Sequence, residues 1–249
     1  MGMYDDEFSA GTTRPQLNLI YLLDTSGSMS GEPINQLNLA MEESLRVAEE
    51  AALEKEVQLL LRVVEFNSSA SWIYGDTENG VEHIEWNPLY ANGGTDTATA
   101  IDMATGVMHR KYLGERNYRP VVILITDGES NDYQETIAAS ERLKNSLKSS
   151  SNPNKDKVTR IALGVTGANR AELEAFASRG TIEWPDGRIE ENVPLVFDVA
   201  DVDMLKGLLK GVTMSSIASS IGGGVAGDED DAPVISPDYD DSPDDDWEA

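Results

Sequence analysis

Two apolar runs constrain this chain most, residues 17–23 (LNLIYLL) and residues 120–126 (PVVILIT), because both have strand length and both stop at an aspartate, Asp24 or Asp127. A strand with one wet face alternates polar and apolar residues, whereas a nearly continuous run has both faces covered, as in a parallel sheet between layers of helix. The segments between these runs fit that layout. After a Gly and Ser loop, Pro33 suits a first helical turn, and Ile34, Leu37, Met41, Leu45, Ala48 and Ala52 recur every three or four residues, the stripe of an amphipathic helix facing a sheet. Residues 57–66 read as a second strand. Residues 71–84, interrupted by Gly75-Asp76-Thr77-Glu78-Asn79-Gly80, read as a hairpin or edge strand. Helical spacing returns over 95–112, at Ile101, Thr105 and Met108, and 120–126, the most continuous apolar run, is the predicted central strand. A helix over 133–149, a strand over 158–165, a helix over 170–178, a strand over 193–198 and a helix over 202–220 follow. Strands alternating with helices predict βαβ units, hence an α/β fold with a doubly wound, mostly parallel sheet flanked by helices.

Length and charge bound the rest. With 249 residues, 40% of them hydrophobic, the chain has one substantial core, expected over 16–220 between a flexible segment at 1–15 and an acidic tail at 221–249. From Gly222 onward the composition is Gly, Asp, Pro and Ser, too poor in apolar surface to offset the entropy of ordering, so the tail is predicted to be disordered. There is no cysteine, which excludes a disulfide framework, a thiolate zinc site and a cysteine nucleophile. No apolar run approaches the roughly 20 residues that cross a bilayer, and residues 1–16 are acidic without the apolar core of a secretory signal. Asp6 holds the position where a myristoylation signal needs a hydroxyl. A cytoplasmic location is expected. The net charge of −26 argues against nucleic acid and anionic membrane, since phosphate binding is driven by clustered Lys and Arg. Eleven acidic residues and no basic one lie in 228–249, leaving −15 for the preceding 227 residues, so the tail is a separate object.

Sheets of this kind bind ligands at the carboxyl ends of their strands, and three polar groups fall there. Asp24-Thr25-Ser26-Gly27-Ser28 ends the first strand, Gly93-Gly94-Thr95 opens a helix, and Asp127-Gly128 ends the central strand. Two carboxylates and three hydroxyls suit Mg2+, which takes oxygen ligands, tolerates one or two carboxylates and keeps several waters. A spacing of two residues in a tight loop lets Ser26 and Ser28 point at one centre, and Gly27, Gly93 and Gly94 let the backbone approach. Neutral hydroxyls fill coordination positions without quenching the ion's charge, so a site built on Ser26, Ser28 and Thr95 stays electrophilic and seeks an external anion. Asp24 and Asp127 then act through water or orient the hydroxyls.

At these residues the chain resembles a known family. Asp24-x-Ser26-x-Ser28 with a distant Thr95 and Asp127 matches the metal-ion-dependent adhesion site of von Willebrand factor A domains, over roughly residues 15 to 220. The resemblance implies a six-stranded, mostly parallel sheet, with Ser26, Ser28 and Thr95 contacting the metal and Asp24 and Asp127 held through water, or Asp127 directly in one conformation. Gly31-Glu32-Pro33-Ile34-Asn35-Gln36-Leu37-Asn38, Tyr118-Arg119-Pro120 and Ile125-Thr126-Asp127-Gly128 look like the TerY-like bacterial proteins of tellurium-resistance neighbourhoods. That subgroup implies a cytoplasmic protein associated with a protein kinase and a metal-dependent protein phosphatase. The function expected is a non-enzymatic, Mg2+-dependent binding module, with Mn2+ as the alternative ion, acting as a scaffold or regulator and gripping a partner's Asp or Glu.

Other readings stand beside it. A metal-dependent, phosphate-directed enzyme would use the same ion as Lewis acid, with Glu129, Asp132 or Asp96 as base; an ion that only fastens loops is a third reading. Asp96 is either a third acid at the site or a helix N-terminal acid favoured by the macrodipole. Asp24 lacks the second aspartate that a haloacid dehalogenase nucleophile needs, Ser26 standing there, and Ser28-Met29-Ser30 lacks the lysine of a phosphate loop. His83 and His109 have no partner at metal-ligand spacing and read as surface or half-buried residues. Asn35 and Asn38 either brace the site loop or sit on a helix surface. The tail is a solubilising extension, or a recognition motif around Trp247, or a source of carboxylates that reach a metal site, its own or a neighbour's.

Overall fold

The computed structural model describes residues 14–113, 117–147, 157–165, 167–222 and 232–237. In chain order the elements are β1 (Gln16–Asp24), α1 (Glu32–Glu54), β2 (Gln58–Phe66), β3 (Ala70–Tyr74), α2 (Thr97–Val107), α3 (Arg110–Leu113), β4 (Val121–Thr126), α4 (Tyr133–Asn145), β5 (Thr159–Val165), α5 (Arg170–Phe176), β6 (Arg179–Glu183), β7 (Ile189–Pro194), β8 (Val196–Val199), α6 (Val202–Gly222) and β9 (Val234–Ile235). Six strands form the main sheet in the order β3-β2-β1-β4-β5-β8. All neighbours pair parallel except β3, which is antiparallel to β2 at the edge.

The continuous apolar runs are explained by what each strand face meets. On β1, Leu17, Leu19, Tyr21 and Leu23 enter the core under α1 and α6, while Ile20 and Leu22 enter the core on the opposite face. Likewise on β4, Val121, Ile123 and Ile125 go one way and Val122 and Leu124 the other. One strand thus feeds two cores, and the usual period-two polarity disappears. Tyr21 is the polar exception: its hydroxyl lies 3.2 Å from both Ser44 on α1 and Thr213 on α6. Burial pushes the phenol's pKa up, against those two hydrogen bonds, so it stays neutral and joins the two helices.

Chain order reverses between β1 and β4, which lie side by side while β2 and β5 extend to opposite sides. That reversal is the switch point at which doubly wound sheets open a crevice. It places Asp24 and Asp127, from strands about a hundred residues apart, at one edge.

Several expected boundaries shift. The 71–84 segment is a five-residue edge strand, β3, with a single return bridge from Val81 to Leu61. Its turn is pinned from below by the buried Arg62, whose Nε donates to the Asp76 carbonyl at 2.8 Å and whose Nη1 donates to Asn18 Oδ1 at 2.5 Å. The 95–112 helix divides at Met108 into α2 and α3, α4 ends at Asn145, and α5 ends at Phe176. The expected strand at 193–198 is two elements, β7 and β8, and β6 was not anticipated. The 179–194 segment is polar and holds Gly and Pro, so its hairpin carries no clear alternation. The tail expectation also meets an exception. Within residues 232–237, Val234–Ile235 form β9, parallel to β6, and Ile235 is completely buried; a lone apolar pair in an acidic run gave too little periodic signal to reveal it. The segments 1–13, 223–231 and 238–249 lie outside the described residues.

Gly180 makes the β9 contact possible. A methyl there would sit 2.4 Å from the Pro233 carbonyl oxygen, the acceptor for the Thr181 N–H. Gly180→Ala is therefore expected to dislodge residues 232–237 and speed amide exchange at Thr181 by up to about tenfold, the net worth of one hydrogen bond. Unchanged exchange would show that the contact tolerates the methyl. Among the described residues, no helix is long and apolar enough to cross a membrane.

Candidate metal centre

Asp24 ends β1 at the switch point with no exposed surface. Its Oδ1 accepts the Ser26 backbone N–H at 2.8 Å, and its Oδ2 accepts the Thr126 hydroxyl of neighbouring β4 at 2.5 Å. The first bond curls the chain immediately after the strand, so that Ser26 leads into a short 3-10 turn, Gly27–Met29, anchored by the fully buried Met29. The Ser26 and Ser28 hydroxyls then lie 2.9 Å apart, and Ser28 Oγ donates to Asp127 Oδ1 at 2.8 Å. Residues 99 positions apart in sequence thereby share one run of oxygens.

Thr95 arrives from a third direction. The Gly27 N–H donates to the Gly93 carbonyl at 3.0 Å, and the Asn92 N–H to Thr25 at 2.7 Å, which ties the 92–95 loop to the β1 loop. Gly93 adopts a φ of +76, and a Cβ there would lie 2.6 Å from Ser68 Oγ, so the position demands glycine on both conformational and steric grounds. Ser68 Oγ accepts the Gly94 N–H at 2.8 Å, and the Asp96 N–H donates to the Asn67 carbonyl at 2.6 Å. Asn131 holds Thr95 from the other side, its N–H donating to the Thr95 carbonyl at 2.9 Å. A methyl built on Gly128 would lie 3.6 Å from Ser28 Oγ and 4.0 Å from Thr95 Oγ1, so both hydroxyls border the same space. All five residues singled out in the sequence, Asp24, Ser26, Ser28, Thr95 and Asp127, are brought together.

The electrostatics of this cluster ask for a cation. Burial raises the Asp24 carboxyl above its ordinary value, hydrogen bonds from Thr126 and Ser26 pull it back, and the like charge of Asp127 raises it further. Among the described residues, no positive charge contributes to its shift. A buried carboxylate without a cation is costly. Two carboxylates and three hydroxyls fit a hard divalent ion. Among the described residues, no three acidic or histidine side chains gather at one point, so the oxygen set is rich in hydroxyls rather than charge.

The other candidates separate cleanly. Asp96 caps α2, its carboxylate accepting the Thr99 N–H and hydroxyl at 3.2 and 2.8 Å, which is the helix-terminal reading. Asp132 caps α4 through the Glu135 N–H, and Glu129 is exposed. His83 is exposed and pairs with Glu49 at 2.8 Å; that hydrogen bond, then the Glu49 charge, raises its pKa. His109 is also on the surface. Asn35 is exposed, whereas Asn38 braces residues 86–89, accepting from Trp86 Nε1 and the Leu89 N–H and donating to the Leu89 carbonyl. Thr126, Asn67 and Ser68 were missed as supporting groups. Thr126 was legible as the residue before Asp127 on a strand whose neighbour ends in Asp24; Asn67 and Ser68 carry no signal of their own in the sequence.

The von Willebrand factor type A domain family model matches residues 18–208. Among curated protein sequences, none matches the chain. Solved structures do. A von Willebrand factor type A protein from Catenulispora acidiphila is 18% identical with a TM-score of 0.55, covering 81% of this chain and 42% of its own. Proximal thread matrix protein 1 from the mussel byssus is 18% identical with a TM-score of 0.51, over 81% of this chain and 46% of its own. A structure of that mussel protein with a zinc-occupied MIDAS motif matches with a TM-score of 0.52 at the same identity and coverage. The chain thus spans less than half the length of these structures, and at such identity they share its fold. With the family model covering most of the sheet and both strands that carry the aspartates, this chain belongs to the von Willebrand factor type A domain family.

Proposed function

We propose that the chain is a non-enzymatic binding module that holds Mg2+, or alternatively Mn2+, on Ser26, Ser28, Thr95, Asp24 and Asp127 and captures a partner protein through that partner's Asp or Glu. The observation that carries this reading is the run of oxygens that links the Ser26 and Ser28 hydroxyls to Asp127, beside the buried Asp24 and with Thr95 bordering the same space, at the switch point. When bound, such an ion supplies an electrophilic position able to accept one carboxylate oxygen. The chain's own part is to fix the oxygens: Thr126 and the Ser26 N–H hold Asp24, Ser28 holds Asp127, and the Gly93 carbonyl holds the Ser26 loop. The zinc-occupied MIDAS motif in the mussel structure supports a divalent ion at the equivalent place.

The competing enzymatic reading needs a base beside the site. Asp96 and Asp132 serve as helix caps and Glu129 is exposed, which supports the binding reading over one that uses them as bases. A cytoplasmic scaffold or regulator, in a kinase and phosphatase system of a tellurium-resistance or stress pathway, follows from the resemblance to TerY-like proteins and is part of the proposal.

The experiment is partner capture from native lysate by the wild-type chain in Mg2+, in EDTA, and by Asp24→Ala. A protein retained in Mg2+ and lost in both other conditions supports metal-gated capture. Identical captures in all three would place the binding surface elsewhere.

A further inference from the structure

Three segments of chain meet at the candidate metal centre: 24–32 from the end of β1, 90–99 leading into α2, and 127–133 from the end of β4. Together they carry six carboxylates and neither lysine nor arginine. Asp24 and Asp127 belong to the centre itself, and the other four flank it. Glu32 is exposed and opens α1 shortly after the Ser28 turn. Asp96 follows Thr95, and Glu129 lies two residues past Asp127. Asp132 follows Asn131, whose N–H holds the Thr95 carbonyl at 2.9 Å. On the adjacent strand, the loop after β5 brings in Arg170, but its guanidinium is engaged by Glu174 and Asp198 at 2.8 Å each, so that charge is already met.

An aromatic side chain shares this rim. Tyr90 is 78% exposed and stands two residues before Asn92, whose N–H donates to the Thr25 carbonyl at 2.7 Å. On its other side Leu89 is buried, and the Leu89 N–H donates to Asn38 Oδ1 at 2.7 Å. Tyr90 is therefore presented by a stretch of chain braced at both ends.

These features set the chemistry of what the ion can accept. A divalent cation offsets two of the six charges, and an incoming carboxylate adds one back. At physiological salt, exposed charges act over about 8 Å, which takes in an acid next to Thr95 and another two residues from Asp127. A carboxylate set among neutral or acidic neighbours is repelled by such a rim, whereas Lys or Arg beside it turns the same field into attraction. A cation also finds a partner in the face of an exposed aromatic ring. We propose that this face selects a basic partner surface: the Asp or Glu that completes the ion's coordination is flanked on the partner by Lys or Arg, which lie over Glu32, Glu129 and the Tyr90 ring. Asp96 and Asp132 add to the field from their helix caps. This selectivity rests on the metal-dependent capture proposed above and supplies the chemistry of its partner.

The test is a selection on the immobilised full chain in Mg2+, using displayed short peptides with Glu fixed at the centre and every other position randomised. Bound peptides are released with EDTA and sequenced, and the same library with a central Gln is run beside it. Exposed opposite-charge pairs are each worth roughly 1.4- to 5-fold in affinity, so Lys and Arg should be enriched about threefold over the input pool, with Asp and Glu depleted. Glu32→Gln combined with Glu129→Gln, both exposed positions, should at least halve that enrichment while a Glu-dependent pool persists. Tyr90→Ser should weaken the selected peptides by about two- to fivefold. A pool that needs both Mg2+ and the central Glu, yet keeps the input composition, overturns the basic partner and leaves metal-dependent capture standing. Basic enrichment that is as strong with the central Gln, or undiminished in the double variant, also overturns it, because the attraction then owes nothing to this rim. Absence of an EDTA-released pool, or one that survives Asp24→Ala, overturns the capture reading and this one with it.

Discussion

Asp24→Ala is expected to remove divalent-cation binding, lowering Mg2+ and Mn2+ affinity by about 100-fold or more, the upper end of what losing a residue that orients metal ligands costs. A ligand at a hundred times its Kd adds about 2.7 kcal/mol to folding stability. A domain of this size moves about 2–4 °C per kcal/mol, so Mg2+ at a hundred times the wild-type Kd should raise the wild-type melting temperature by roughly 5–11 °C and that of the variant by no more than about 2 °C. Scanning calorimetry with and without Mg2+ reads this directly. A variant that gains as much as the wild type would take the metal away from the end of β1.

The metal-free chain should respond in the opposite sense. Because burial raises the folded-state pKa of Asp24 above its ordinary 3.8, the folded chain keeps a proton that the unfolded chain has released. The residue's contribution to metal-free stability therefore declines as pH rises from the unfolded value through the folded one. Asp24→Asn keeps the shape without the charge, so in EDTA at pH 7 it should melt above the wild type. Stability sacrificed at a site for ligand binding is a common trade. A lower melting temperature for Asp24→Asn would mean that the carboxylate's hydrogen bonds outweigh its desolvation.

Phe66→Ala should cost the fold most among single truncations near the site. Phe66 is fully buried at the end of β2 within the core that also holds Ile20, Leu22 and Ile101. Removing such a ring costs about 3–5 kcal/mol in lost transfer energy and residual cavity, or roughly 6–20 °C in melting temperature at this size. The same residue's carbonyl accepts the Thr25 N–H at 2.7 Å and the Thr25 hydroxyl at 3.2 Å. A loosened β2 end therefore reaches the Ser26 loop, and Mn2+ affinity should fall alongside stability. A loss under about 1 kcal/mol, the cost of a well-tolerated core swap, would contradict close packing at that position.

Much of the site was legible because its residues obey local rules. Asp24 and Asp127 each end an apolar run, Ser26 and Ser28 follow at turn spacing, and Gly93-Gly94 marks close backbone approach before Thr95. What local rules cannot give is the partner of each group. The link from Thr126 to Asp24 depends on β1 and β4 being neighbours. Ser68 matters only because Gly93 folds against it, and the two alternative readings of Asp96 were separated by its bonds to Thr99.

By itself the sequence determined the α/β class, the helices that cover both faces and the five residues of the candidate metal centre, because apolar periodicity and strand-end chemistry are written in neighbouring residues. Only the tertiary structure decided that the order reverses between β1 and β4, that residues 179–194 fold into a second small sheet, and that Val234 and Ile235 leave the acidic run to pair with β6. The physical reason is common to all three. Strand order and edge pairing are settled by contacts between residues far apart in the chain, and a two-residue strand held by one buried isoleucine has no periodicity to announce it until the groove it fills exists.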